Sequence, residues 1–245
     1  MTSASSDGPA FKAQYQAVLD SRQGQFEKHF VDATLVSLHQ AAHSRLLDVE
    51  KLYSKVSGRR EAQIFDLATS LFADGLCQIA CANYRLAFYC LRSFLELSSA
   101  AIKFSGHELE LRQWQQGGRD ILWGALNNDE TGVYSAIFTS AFYPALKKET
   151  KHYSGLAART YRECSEYVHG NPKTHGSNEI EIERSKSWFE LADAAVTCII
   201  FIFFVRYHSE VGASFASDVD VSSILQSELG HFEGLTSAIE SGVTL

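Results

Sequence analysis

The segment Ala194–Val205, AAVTCIIFIFFV, constrains this chain more than any other. Its twelve residues carry no charge, and Asp193 and Arg206 close it off on either side. A membrane-spanning helix needs roughly 20 apolar residues, so a stretch of this length reads as a buried core helix. A helix that is apolar all round must be wrapped by the apolar faces of others.

Those faces show as a 3.6-residue rhythm. Between Gln25 and Val56 apolar residues recur at Phe26, Phe30, Leu35, Leu38, Leu46, Val49, Leu52 and Val56, which predicts one helix ended by Gly58. A second run from Glu61 to Phe104 is long for a globular helix and predicts a bend near Gly75 or Asn83. Ser105 and Gly106 stop it. A polar connector follows, then short helices over 120–126 and 133–142, the latter broken by Pro144. Ser154 is expected to cap a helix that runs to His169, where Gly170, Asn171 and Pro172 stop it. Residues 173–179 read as a loop. The apolar helix covers about 185–207, and one amphipathic helix lies within 218–245.

No alternating strands, internal repeats, Gly-rich phosphate loop, G-x-S-x-G or H-E-x-x-H occurs. The fold class is therefore all-α, a helical bundle. The expected organisation is a floppy tail over 1–10, a helical extension over 11–70, a core over 71–209 and a helical tail over 210–245, all within one domain. With 45% hydrophobic residues, 21% charged residues and three prolines, a disordered or fibrous chain is excluded. The first residues, MTSASSDGPA, lack the features of a secretory signal. The five cysteines form no C-x-x-C pair and read as buried free thiols. A soluble, cytoplasmic protein without membrane attachment is the expectation.

Two helices carry polar stripes. Over 85–103, Arg85, Tyr89, Arg92, Glu96, Ser99 and Lys103 fall within about 40° of one line, and most of the remaining circumference is apolar. Such a stripe faces solvent, another polar surface or a cleft wall. Over 155–170, Arg159, Arg162, Glu166 and His169 form a polar face, opposite Ala157, Tyr161, Cys164, Tyr167 and Val168. Arg162 offers a fork suited to phosphate. His169 falls in the last turn of its helix, where an imidazole can give or take a proton. An Arg and a His without a metal cluster suit metal-independent RNA cleavage, in which a base takes the 2′-OH proton and the Arg stabilises the charged phosphorane.

Net charge is −7, so a global basic coat for nucleic acid is excluded and any such binding must rest on a local patch. Lys147, Lys148, Lys151, Arg159 and Arg162 against Glu149 form one, with a local charge of +4.

The segment Tyr161–Pro172, YRECSEYVHGNP, resembles the signature helix of HEPN-like proteins, an Arg followed after four to six residues by a His. Here Arg162 and His169 enclose six. Asn83–Leu97, NYRLAFYCLRSFLEL, looks like the earlier core helix of the same families, with Glu96 matching an acid that faces the Arg/His pair and Arg92 its neighbour. The resemblance spans roughly 71–207. It implies a helical bundle that dimerises, two Arg/His motifs converging on one cleft, and a metal-independent endoribonuclease in phage defence or a toxin–antitoxin setting, with RNA and an antitoxin or other defence protein as partners. Arg162, His169 and Glu96 would then be catalytic, Arg92 and Glu166 supporting, and Lys147, Lys148, Lys151 and Arg159 phosphate-binding. No cofactor or metal is implied. Active members usually carry Asn, Asp or His directly after the Arg, where this chain has Glu163.

Two other readings stay open. One is a non-catalytic helical module for dimerisation and protein assembly, in which the Arg/Glu/His groups form a structural polar network. The other is a metal-dependent hydrolase using His152, His169 and His175, although their spacing matches no zinc pattern.

Overall fold

A computed structural model describes residues 8–169, 171–174 and 178–243. Among them there are eleven α-helices and no strand. The all-α expectation therefore holds. The helices are α1 (Gly8–His29), α2 (Ala33–Ser54), α3 (Ala62–Ala80), α4 (Tyr84–Phe104), α5 (Glu108–Gln115), α6 (Trp123–Leu126), α7 (Ala136–Phe142), α8 (Thr150–Val168), α9 (Ile182–Ala216), α10 (Val219–Leu229) and α11 (Leu235–Ser241).

The apolar helix α9 is the axis of the bundle. From Ala195 to His208 every residue but Thr197 is buried, and α2, α4, α7, α8, α10 and α11 pack around it. It is longer than expected, reaching Ala216 across a kink at Val211. Among the described residues it is the one helix long and apolar enough to cross a membrane, and 78% of its apolar 18-residue window is buried inside the fold. Of the helices outside the 71–209 core, α2, α10 and α11 join the same apolar cluster. Arg45 of α2 ties them in. Its guanidinium reaches Asp193 at 3.0 Å, Thr197 at 2.9 Å and Glu228 of α10 at 2.5 Å.

Several boundaries differ from the sequence reading, each for a local reason. The expected helix over 25–56 is two. The Asp32 side chain accepts from the Leu35 N–H at 2.9 Å and so starts α2 afresh. The run over 61–104 does not bend but reverses. Ala82, at φ 53°, turns the chain between α3 and α4, which pack as a hairpin. Gly75 lies inside α3, where a Cβ would meet Trp188 Cζ2 at 3.0 Å, so its smallness serves close packing rather than a bend. Helix α7 begins only after Ser135, which accepts from the Phe138 N–H, and α6 has four residues. Ser154 is not a cap, because α8 starts at Thr150 and Ser154 donates to Asn127 instead. The C-terminal helix is also two, since Asp218 caps α10 and Gly234, at φ 79°, precedes α11. The expected tail over 1–10 overlaps α1 from Gly8, while residues 1–7 lie outside the described residues. Of the thiols, Cys90, Cys164 and Cys198 are buried as expected, whereas Cys77 is exposed and Cys81 half-buried. Burial pushes the Cys90 thiol up to about 11.

Candidate functional site: two faces of α8

Helices α4 and α8 pack antiparallel, and one face of α8 makes the contact. The Arg85 Nη2 donates to the Val168 carbonyl at 3.2 Å. Phe88 stacks on Tyr167 with ring centres 3.6 Å apart. Further along, Arg92 Nη2 donates to the Tyr161 hydroxyl at 2.5 Å and lies over the Tyr161 ring. Trp123 of α6 stacks on Tyr161 at 4.3 Å.

From Arg92 to Lys103 the polar stripe of α4 is thus consumed within the molecule. Arg92 Nε stands 3.6 Å from Glu96 Oε2, and Glu96 also bonds Tyr161. Ser99 shares a hydrogen bond with the Tyr134 hydroxyl at 3.0 Å. Lys103 donates to the Ala125 carbonyl at 3.4 Å. At the N-terminal end of the stripe Arg85 and Tyr89 are exposed, Tyr89 at 47%. Burial raises the Glu96 carboxyl above its usual value, with Arg92 and Tyr161 opposing the shift. Burial likewise raises the Tyr161 phenol, reinforced by the Glu96 charge.

The outer face of α8 has the opposite character. Lys151, Arg162 and His169 lie within about 20° of one line at 100° per residue, with Arg159 and Glu166 flanking them. All five are exposed, as are Lys147 and Lys148 just before the helix. Arg159 faces Glu163 at 3.9 Å, a weak surface pairing. Glu166 accepts from the Asn171 side-chain amide. Among the described residues the Arg162 and His169 side chains have no hydrogen-bond or ion-pair partner.

Of the candidate residues, the structure brings Glu96 and Arg92 together with Tyr161. It brings Arg162, His169, Lys151 and Arg159 onto one open face. It does not bring the two groups to each other within one chain, since Tyr161 and Cys164 line the α4 side while Arg162 and His169 point away. Arg162 and His169 are two turns apart, roughly 10.5 Å along the axis. The sequence reading missed Trp123 and Tyr134 as partners of the α4 stripe, and nothing local in those segments signals the contact.

Metal binding by His152, His169 and His175 finds no support in this arrangement. His152 and His169 are 17 residues apart on one helix, about 25 Å along its axis, too far to share an ion. His175 lies outside the described residues. Among the described residues no three His, Cys, Asp or Glu side chains gather to hold a metal ion.

Comparison with protein-family models, with curated proteins and with solved structures returns no match for this chain.

Proposed function

We propose that this chain is a HEPN-like, metal-independent endoribonuclease acting as a homodimer through the outer face of α8. The setting, phage defence or a toxin–antitoxin pair with its partner protein, follows from the resemblance alone. The observation that carries the reading is the pair Arg162 and His169, without a partner among the described residues, on one open line with Lys151 and Arg159. Lysines and arginines on such a face attract phosphate. Arg162 stabilises the charged phosphorane. His169 takes the 2′-OH proton, and the 2′ oxygen bonds to phosphorus as the bond to the 5′ oxygen breaks. That oxygen leaves as a 5′-hydroxyl by taking a proton from an imidazolium or water, with a 2′,3′-cyclic phosphate on the other strand end. Two turns separate the groups in one chain, so two α8 helices crossing antiparallel supply an Arg and a His to the same phosphate.

A second reading has its own observation. Glu96 and Arg92 are engaged with Tyr161 and so cannot orient Arg162 or His169 within one chain, which suits a non-catalytic assembly module on the same scaffold.

End-labelled RNA incubated in EDTA separates the two. The wild type is expected to leave 2′,3′-cyclic phosphate ends, and His169→Ala to cut at least about 100-fold more slowly. Folded wild type that leaves RNA intact overturns the nuclease reading and favours the assembly module.

A further inference from the structure

Helix α1 is seated on the bundle only by its C-terminal third. The Arg22 guanidinium donates to the Cys81 and Ala82 carbonyls at 3.1 and 2.9 Å. The Gln25 side chain accepts from the Ile180 N–H at 3.0 Å, and His29 is fully buried beside His39. Ahead of Arg22, every residue from Phe11 to Ser21 is exposed. The first fourteen residues of α1 form an arm about 21 Å long that stands off the body.

The arm is not polar. Phe11, Tyr15, Val18 and Leu19 are 59%, 59%, 57% and 62% exposed. With the seated residues they form one seam, Phe11, Tyr15, Val18, Arg22, Gln25 and His29, at spacings of four, three, four, three and four. That alternation is the spacing of helix-on-helix packing. The inner half of the seam is already used that way against the body, and the outer half continues it into solvent.

We propose that a second copy of this chain covers the arm, two α1 arms pairing antiparallel about a two-fold axis between Tyr15 and Val18. Tyr15 of each copy packs on Val18 of the other. Phe11 at each tip then reaches the other copy's Arg22, the foot of its arm. At that foot lies a second uncovered apolar patch. Leu86 and Tyr89 are exposed beside a pocket of about 360 Å³ lined by Asn83, Arg85, Leu86, Tyr89 and Val168. Leu86 is only four residues past the Ala82 carbonyl that Arg22 grips.

Three observations select a second copy as the occupant. Continuity is the first, because the uncovered seam extends an interface that α1 already makes. Charge is the second. Residues 8–21 hold one lysine, Lys12, and one aspartate, Asp20. Such a neutral arm offers no grip to nucleic acid or an anionic lipid surface, which call for clustered Lys and Arg, and it lies beside its own copy without repulsion. Area is the third. The four arm residues with Leu86 and Tyr89 expose about 600 Å² per copy on ordinary side-chain areas, against roughly 800 Å² per partner for a standard stable interface. An isolated helix this short is marginal in water, so pairing also stabilises the arm itself.

The proposal concerns α1 and does not rest on the RNA-cleaving reading, and its test uses neither activity nor RNA. With no phosphate between them, the exposed Lys147, Lys148, Lys151, Arg159 and Arg162 of two copies repel, so the α8 faces hold no dimer in this measurement. Light scattering after gel filtration is measured on the full chain, wild type and Tyr15→Glu/Val18→Glu, with circular dichroism on both. Twice the chain mass of 27.2 kDa is expected for wild type, and a folded monomer for the variant at the same concentration. A monomeric wild type at 100 μM overturns the proposal, as does a variant that dimerises as tightly as wild type. Should the double variant not fold, Phe11→Gln at the tip must raise the dimer dissociation constant at least about tenfold. An unchanged constant overturns the proposal equally.

Discussion

The polar stripes of α4 and α8 look alike on a helical wheel and lie in opposite surroundings. Arg92, Glu96, Ser99 and Lys103 of α4 each meet an intramolecular partner from α8 or from the segment 123–134. Lys151, Arg159, Arg162 and His169 of α8 meet solvent. The difference comes from the rest of each circumference. Helix α4 is apolar nearly all round and sinks into the bundle, so its polar groups must be answered from inside. Helix α8 has an apolar half to spend on that contact and leaves its charged half outside. A polar stripe on a mostly apolar helix is thus a network that joins helices, whereas a polar half-face is free for a partner.

That contrast sets the size of the effects expected on substitution. Arg92→Ala removes the cation between Glu96 and Tyr161 and leaves a half-buried carboxylate alone. It should cost about 2–3 kcal/mol of stability, while Arg162→Ala should stay within about 0.5 kcal/mol. Urea unfolding of both variants measures this, and equal losses would break the contrast.

A smaller effect appears in the pH dependence. Burial raises the folded-state Glu96 carboxyl above its usual 4.5, so the folded protein holds this proton more tightly than the unfolded chain does. The associated stability is fully present below pH 4.5 and is lost as pH rises through the raised value. Glu96→Gln cannot titrate, so its urea midpoint should fall less than that of wild type as pH is raised from 4 to 7. Parallel curves would show that Glu96 is as solvated as a surface acid.

The smallest change is expected in the salt dependence of RNA binding, which sharpens the contrast from the other side. Replacing Lys147, Lys148 and Lys151 together by Gln should make the slope of log affinity against log salt shallower by about 2. Arg92→Gln should leave the slope as it is. Fluorescence anisotropy of a labelled RNA reads both, and a slope that responds to Arg92 would place RNA on the wrong stripe.

Much of the fold was legible along the chain. The uncharged run at Ala194–Val205 announced a core helix, and the 3.6-residue rhythm announced the helices that wrap it. The reversals were harder to read. Apolar periodicity runs through Ala82 without interruption, and only its left-handed backbone shows that a hairpin forms there. Asp32 and Asp218 are ordinary N-cap residues that could have marked the starts of α2 and α10. The candidate site was legible as residue types and spacings, but not as surroundings. Trp123 stacks on Tyr161 across 38 positions of sequence, and no local pattern encodes such a contact.

By itself the sequence determined which residues share a helix face, because that follows from the rotation per residue. It determined that α9 must be buried, because an uncharged helix has nothing to offer water. Only the tertiary structure decided which polar stripe would be answered inside and which left open, because that depends on what packs opposite. It also decided that α1 would outrun its seat on the body. The heptad-like seam is continuous in sequence, but the body beneath it ends at the α3–α4 turn, and a helix cannot bury a face beyond the surface that receives it.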